Sequence, residues 1–211
     1  MTRGPGAQAV IVDALLQDRP AARPAAALLA LSAAASAAFG AAVGCYAGRF
    51  QILYNAVKMP AFLLGTLGLS FAAMHVFAAR ERPARETFAA ALETVALTAT
   101  LLGALAPIAA LISLSCPRSS PKAYQFLILC LSGSVAAGGV TGICRLHARL
   151  RSRRLTATWV AIYQFVGAQM AWLLKPWVSH TGTDDRFLPL RENLQGNFYE
   201  SVFRTLLNLL S

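Results

Sequence analysis

Apolar and polar positions alternate along this chain in long blocks. Five blocks, residues 24–47, 59–79, 88–115, 123–144 and 155–178, are apolar for more than 20 residues each. At ~1.5 Å per residue, a helix of that length crosses a ~30 Å hydrocarbon core. Short polar stretches separate the blocks: residues 49–58 with Gln51, Tyr54 and Asn55, a charged connector at 80–87, a proline-flanked turn at 116–122 and an arginine-rich segment at 145–154. The pattern predicts an all-α fold, a polytopic transmembrane helical bundle of about five spans. It divides the chain into a polar leader (1–23), a transmembrane domain (24–178) and a polar tail (179–211). In the tail, Asn197 can cap a helix, with Glu200 three residues on. Polar residues then recur at Ser201, Arg204, Thr205 and Asn208 among phenylalanine and leucine, which predicts an amphipathic helix over 197–210.

Punctuation inside the spans adds detail. Pro60 stands in the first turn of the second span, where proline is tolerated. Pro107 lies deep in the third and predicts a kink, because it removes a backbone donor. Gly40, Gly44 and Gly48 recur every four residues, with Ser32 and Ser36 in register; Gly138 and Gly142 repeat that spacing in the fourth span. Such small-residue ridges let a second helix backbone approach closely.

Composition strengthens the membrane assignment. The chain is 56% hydrophobic and 13% charged, against about 25% charged in soluble domains. Net charge is +10. The basic residues sit in clusters between apolar spans, which marks membrane topology and argues against nucleic-acid binding. The leader, the 80–87 connector and the 145–154 segment carry 11 arginines and lysines together; the alternate loops carry 4 and the region from Lys175 onward 4. Positive residues remain cytoplasmic. The expectation is therefore a multi-pass protein of a bacterial inner membrane, N-terminus cytoplasmic and C-terminus periplasmic.

Candidate chemistry is sparse. Glu93 is the one carboxylate inside an apolar span; such acids mark function, or pair at the interface with Arg85 or another connector arginine, which is the simpler reading. Gln164, Gln169, Trp172 and Lys175 line the fifth span. They read either as a polar path or, more simply, as interhelical contacts with Trp172, Lys175 and Trp177 as interface anchors. His180, Asp184 and Asp185 are too few for a ligand set and read as a solvated loop. Cys45 and Cys116 fall at outer helix ends, which allows a disulfide, with four packed thiols as the alternative. P-loop, Rossmann, nucleophile-elbow and zinc-protease motifs are all missing, so neither enzymatic activity nor a metal or cofactor is predicted.

The segment Gly167-Ala-Gln-Met-Ala-Trp-Leu-Leu-Lys-Pro-Trp177, followed by Gly196-Asn-Phe-Tyr-Glu200, resembles a group of uncharacterised bacterial polytopic inner-membrane proteins. The resemblance covers the last third of the chain. It implies an architecture and no activity, and it marks Asn197, Phe198, Tyr199 and Glu200 as a docking surface or plug. The expected function is a non-enzymatic membrane subunit or scaffold, held in the bilayer, which docks a membrane protein partner or forms a homo-oligomer. The alternative is a small channel or transporter component with a polar path along the fifth helix.

Overall fold

Away from water, long runs of alanine, leucine and valine can satisfy their backbone polar groups only within a helix or a closed barrel. The computed structural model describes residues 25–78, 83–174 and 187, without the side chains of residues 49, 77, 78 and 121. Among them every regular element is helical: α1 (Ala25–Gly44), α2 (Arg49–Ala78), α3 (Ala84–Ser115), α4 (Pro121–Leu150) and α5 (Arg153–Leu174). Four segments, Ala25–Gly44, Phe50–Val76, Ala84–Ser115 and Lys122–Leu150, are long and apolar enough to cross a membrane. α5 is long enough but less apolar, since Gln164, Gln169 and Tyr163 dilute it.

The element boundaries correct the sequence reading in two places. Residues 49–58 are not a loop. They form the first turns of α2, which leaves Pro60 well inside the helix. The reason is a helical period with reversed polarity: Gln51, Asn55 and Lys58 share a face and are buried, whereas Phe50, Leu53 and Val57 point outward at 50–65% exposure. A polar stretch facing inward looks like a loop when only its composition is read. Similarly, residues 145–150 continue α4, and the arginine-rich connector shrinks to two residues. Arg151 adopts a left-handed conformation (φ 50°, ψ 24°) and donates its backbone N–H to His147 O at 2.9 Å. Ser152 Oγ then accepts from Leu155 N at 3.3 Å and starts α5. At the other end of α4, Ser120 Oγ accepts from Ala123 N, and Pro121 supplies a first-turn residue with no N–H to lose.

α1 is the hub. It packs most heavily on α3 and α2; α4 then covers α3, and α5 covers α2. The centre goes to the shortest helix because its side chains are the smallest. Leu28, Ser32, Ser36, Phe39, Gly40, Val43 and Gly44 are all buried. Ser32 and Ser36 donate their hydroxyls to Leu28 O and Ser32 O one turn back, so they are satisfied without a partner helix. A Cβ on Gly103 of α3 would fall 2.9 Å from Ala35 Cβ, so α3 meets α1 with almost no side chain between them. Larger residues close the rest of the core: Tyr46, Met59, Met74, Leu102, Leu127, Leu146 and Trp159 are nearly inaccessible. Ring pairs hold the two ends, Tyr46 with Tyr124 (centroids 6.0 Å) and Phe71 edge-on to Phe88 (5.0 Å).

Candidate functional site

Polar side chains collect at three places in the described bundle. The first is an ionic knot where α3, α4 and α5 begin or end. Glu93 lies in the third turn of α3. Its Oε2 accepts from Arg149 Nε at 3.0 Å, lies 2.8 Å from Arg149 Nη2, and is 3.9 Å from Arg145 Nη2. The three side chains are only 12–24% exposed. The partner is thus the last turn of α4, while Arg85 stays on the surface. One carboxylate faces two guanidiniums, so the knot retains a positive charge. His147, midway between the two arginines in sequence and exposed, closes the α4–α5 corner: its Nδ1 lies 3.2 Å from Thr156 Oγ1. Thr156 already donates to Ser152 O at 2.9 Å, so the histidine is the donor.

The second place is the buried face of α2. Asn55 is 1% exposed, and neither its Oδ1 nor its Nδ2 has a hydrogen-bond partner. Thr66 Oγ1 is likewise buried and unpartnered, while Ser70 donates to Thr66 O at 2.6 Å. Gln51 and Lys58 are buried beside Asn55 on this face. Phe187 sits over it, edge-on to Tyr54 (5.2 Å) and 5.7 Å from Lys58 Nζ. These α2 residues carry no signal of a site in the sequence while 49–58 is read as loop; helical spacing of Gln51, Asn55 and Lys58 was the one available clue.

The third is α5. Gln164 is exposed, whereas Gln169 and Trp172 are half-buried. Gln164 and Gln169 make no hydrogen bond to any described residue. Glu93 is tied to α4 and does not meet either glutamine, so the structure does not bring the polar residues of the third and fifth spans into one cavity. A recess of about 600 Å³ does open at the α3–α4 turn, but its walls are largely apolar, with Leu111, Ile112, Pro117 and Phe126 beside Lys122.

The glycine ridges fall at helix crossings, with one exception. A Cβ on Gly40 would collide with Asn55 O, and one on Gly44 with Gln51 O, so α1 and α2 touch backbone to backbone. Across the α3–α4 seam, Cβ atoms on Gly138 and Gly142 would reach Thr98 Cγ2 at 3.3 Å and Thr98 Oγ1 at 2.5 Å. Thr98 Oγ1 donates to Gly138 O at 3.1 Å, a hydrogen bond between helices. Gly48 departs from the ridge: α1 has ended, nothing lies near its Cβ direction, and its φ of +117° makes it a turn residue. The disulfide expectation is also corrected. Cys45 and Cys116 are both free, and Cys45 Sγ turns back along its own chain to Ala41 O at 3.5 Å.

No group of three or more metal-ligating side chains occurs among the described residues. Lys175, Trp177, His180, Asp184, Asp185 and the tail segment Asn197, Phe198, Tyr199 and Glu200, with the amphipathic helix expected over 197–210, lie outside the described residues. No protein-family model, curated protein or solved structure matches the chain.

Proposed function

We propose that this chain is a multi-pass protein of a bacterial inner membrane with five crossings, the N-terminus cytoplasmic and the tail periplasmic. It acts as a non-enzymatic membrane subunit that docks a partner or a second copy. The observation that carries this reading is the separation of the intramembrane polar groups. A permeation path along α3 and α5 needs Glu93 and the glutamines to share a wet cavity. Glu93 instead closes on Arg149, and Gln164 faces away from the bundle. A scaffold requires only that its helices pack rigidly, and the Gly40 and Gly142 crossings supply that.

A second reading keeps a transporter role but moves the path to the α1–α2 seam. It is favoured by Asn55, whose buried amide atoms lack partners beside the Gly40 crossing. Solute and ion flux into vesicles containing the purified protein separates the two. The scaffold reading expects no flux above empty vesicles. Flux that Asn55→Leu abolishes and Glu93→Gln leaves intact overturns it in favour of the seam.

A further inference from the structure

α4 and α5 meet in a corner of two residues, Arg151 and Ser152, where the left-handed backbone of Arg151 (φ 50°) ends one helix just before the next begins. Five arginines fall within the ten residues 145–154. They divide into two groups. Arg145 and Arg149 fold inward on Glu93. Arg151, Arg153 and Arg154 are exposed and form no ion pair with a described residue. Their Cα atoms span at most ~11 Å of chain, so three guanidiniums on long side chains can converge on one group the size of a phosphate.

The chain has little acid with which to neutralise this corner. At this end of the bundle the described acids are Glu86 and Glu93, against Arg85 and the five arginines. The segments that join the bundle here are themselves basic. Residues 1–24, which lead into α1, hold three arginines against two aspartates, and residues 79–82, between α2 and α3, hold two arginines against one glutamate. Residues 175–211 balance four basic residues against four acidic ones, and they follow α5 at its far end. Phe187, from that stretch, lies 5.7 Å from Lys58 in the first turns of α2, also at the far end. The counter-charge must therefore come from outside the chain. We propose that Arg151, Arg153 and Arg154 hold the phosphate of an anionic phospholipid headgroup. This rests on the reading that the bundle crosses a membrane, which sets the corner at the level of the headgroups. The flank of α4 below it, with Val140 at 60% exposure, then faces the acyl chains. A molecule with an anionic head and apolar tails matches both surfaces; a nucleic acid or an acidic protein matches only the first. Each guanidinium takes a phosphate with two parallel N–H groups, which an ammonium cannot do. A net positive charge at this depth also selects anionic over zwitterionic lipid.

The test uses the purified full chain in neutral detergent micelles. A micelle has no sides, so altered insertion of a variant cannot mimic loss of the site. Phosphatidylglycerol and phosphatidylcholine with identical acyl chains are added in equal amounts, and native mass spectrometry reads which stays bound. The unmodified protein should prefer phosphatidylglycerol roughly tenfold or more. Arg151→Gln, Arg153→Gln and Arg154→Gln together should bring the preference close to one. The same three positions changed to lysine should retain less than about half of it, because the charge stays while the planar fork is lost. Arg118→Gln with Lys122→Gln, at the opposite end of α4, should leave it intact. The three arginine side chains are exposed and unpaired among the described residues, so the unfolding midpoint in neutral detergent should not fall in either triple variant. Equal binding of the two lipids, a preference that the glutamine triple keeps, or a lysine triple that binds like the unmodified protein each overturns the proposal. Glycerol phosphate that displaces the lipid at equal concentration also overturns it, since the site would then take a free phosphate and not a lipid. A chain that stays soluble once detergent is removed overturns the membrane reading itself; one that needs detergent or lipid but shows no preference overturns the headgroup site alone.

Discussion

Arg149 reaches Glu93 with two nitrogens on one carboxylate oxygen, Nη2 at 2.8 Å and Nε at 3.0 Å, across 56 residues of chain. The pair joins the third turn of α3 to the last turn of α4. With Arg145 Nη2 3.9 Å from the same oxygen, removal of the acid takes the carboxylate away from two half-buried guanidiniums. Glu93→Gln should therefore destabilise the bundle by about 1–3 kcal/mol, below the figure for a fully buried pair because these side chains retain some water. Thermal unfolding in detergent, run as a double-mutant cycle with Arg149→Gln, measures it. An additive cycle would show that the contact contributes nothing.

Glycine substitutions should separate the crossing from the turn. Gly40→Ala places a methyl group against Asn55 O, which is backbone and cannot rotate away, so α1 and α2 must move apart. A loss of about 2–4 kcal/mol is expected from such overpacking. Gly48→Ala meets no neighbour and is strained only by its φ of +117°, a cost of about 1 kcal/mol. Equal losses in the two variants would mean that the α1–α2 crossing relaxes freely.

Asn55 yields a prediction of opposite sign. Its amide is enclosed and makes no hydrogen bond, so the folded state bears its dehydration without return. Asn55→Leu, similar in shape, should be neutral or stabilise by about 1–2 kcal/mol. A lowered unfolding midpoint would reveal a bound water or solute that satisfies the amide in the native protein, and would draw attention to the α1–α2 seam.

The fold class was legible because apolar blocks of span length leave few alternatives to helices. The close approach at Gly40, Gly44, Gly138 and Gly142 was legible too, since a four-residue repeat of glycine has a geometric meaning before any partner is known. What stayed hidden depends on tertiary placement. Gln51, Asn55 and Lys58 looked like loop residues, because nothing in a local window says that their face turns inward. Arg149, and not Arg85, holds Glu93 because α4 overruns its expected end by six residues and brings its last turn alongside α3. Gly48 shares the ridge spacing but lies beyond the helix end, where spacing no longer fixes direction.

The two ends of α4 offer the sharpest test of orientation. α4 links the turn at residues 116–120 to the two-residue corner at Arg151 and Ser152. If it crosses the bilayer, these turns lie on opposite sides. The corner end carries Arg145, Arg149, Arg151, Arg153 and Arg154, and excess positive charge keeps a segment cytoplasmic. In the cysteine-free background, Ser119→Cys should react with a membrane-impermeant maleimide on intact cells, and Ala148→Cys only after lysis; both positions are exposed. The reverse pattern would invert the protein and place the arginines outside. Reaction of both thiols on intact cells would show that α4 does not span, and that its exposed apolar face, with Phe126, Leu129 and Val140 at 55–71% exposure, is covered by something other than lipid.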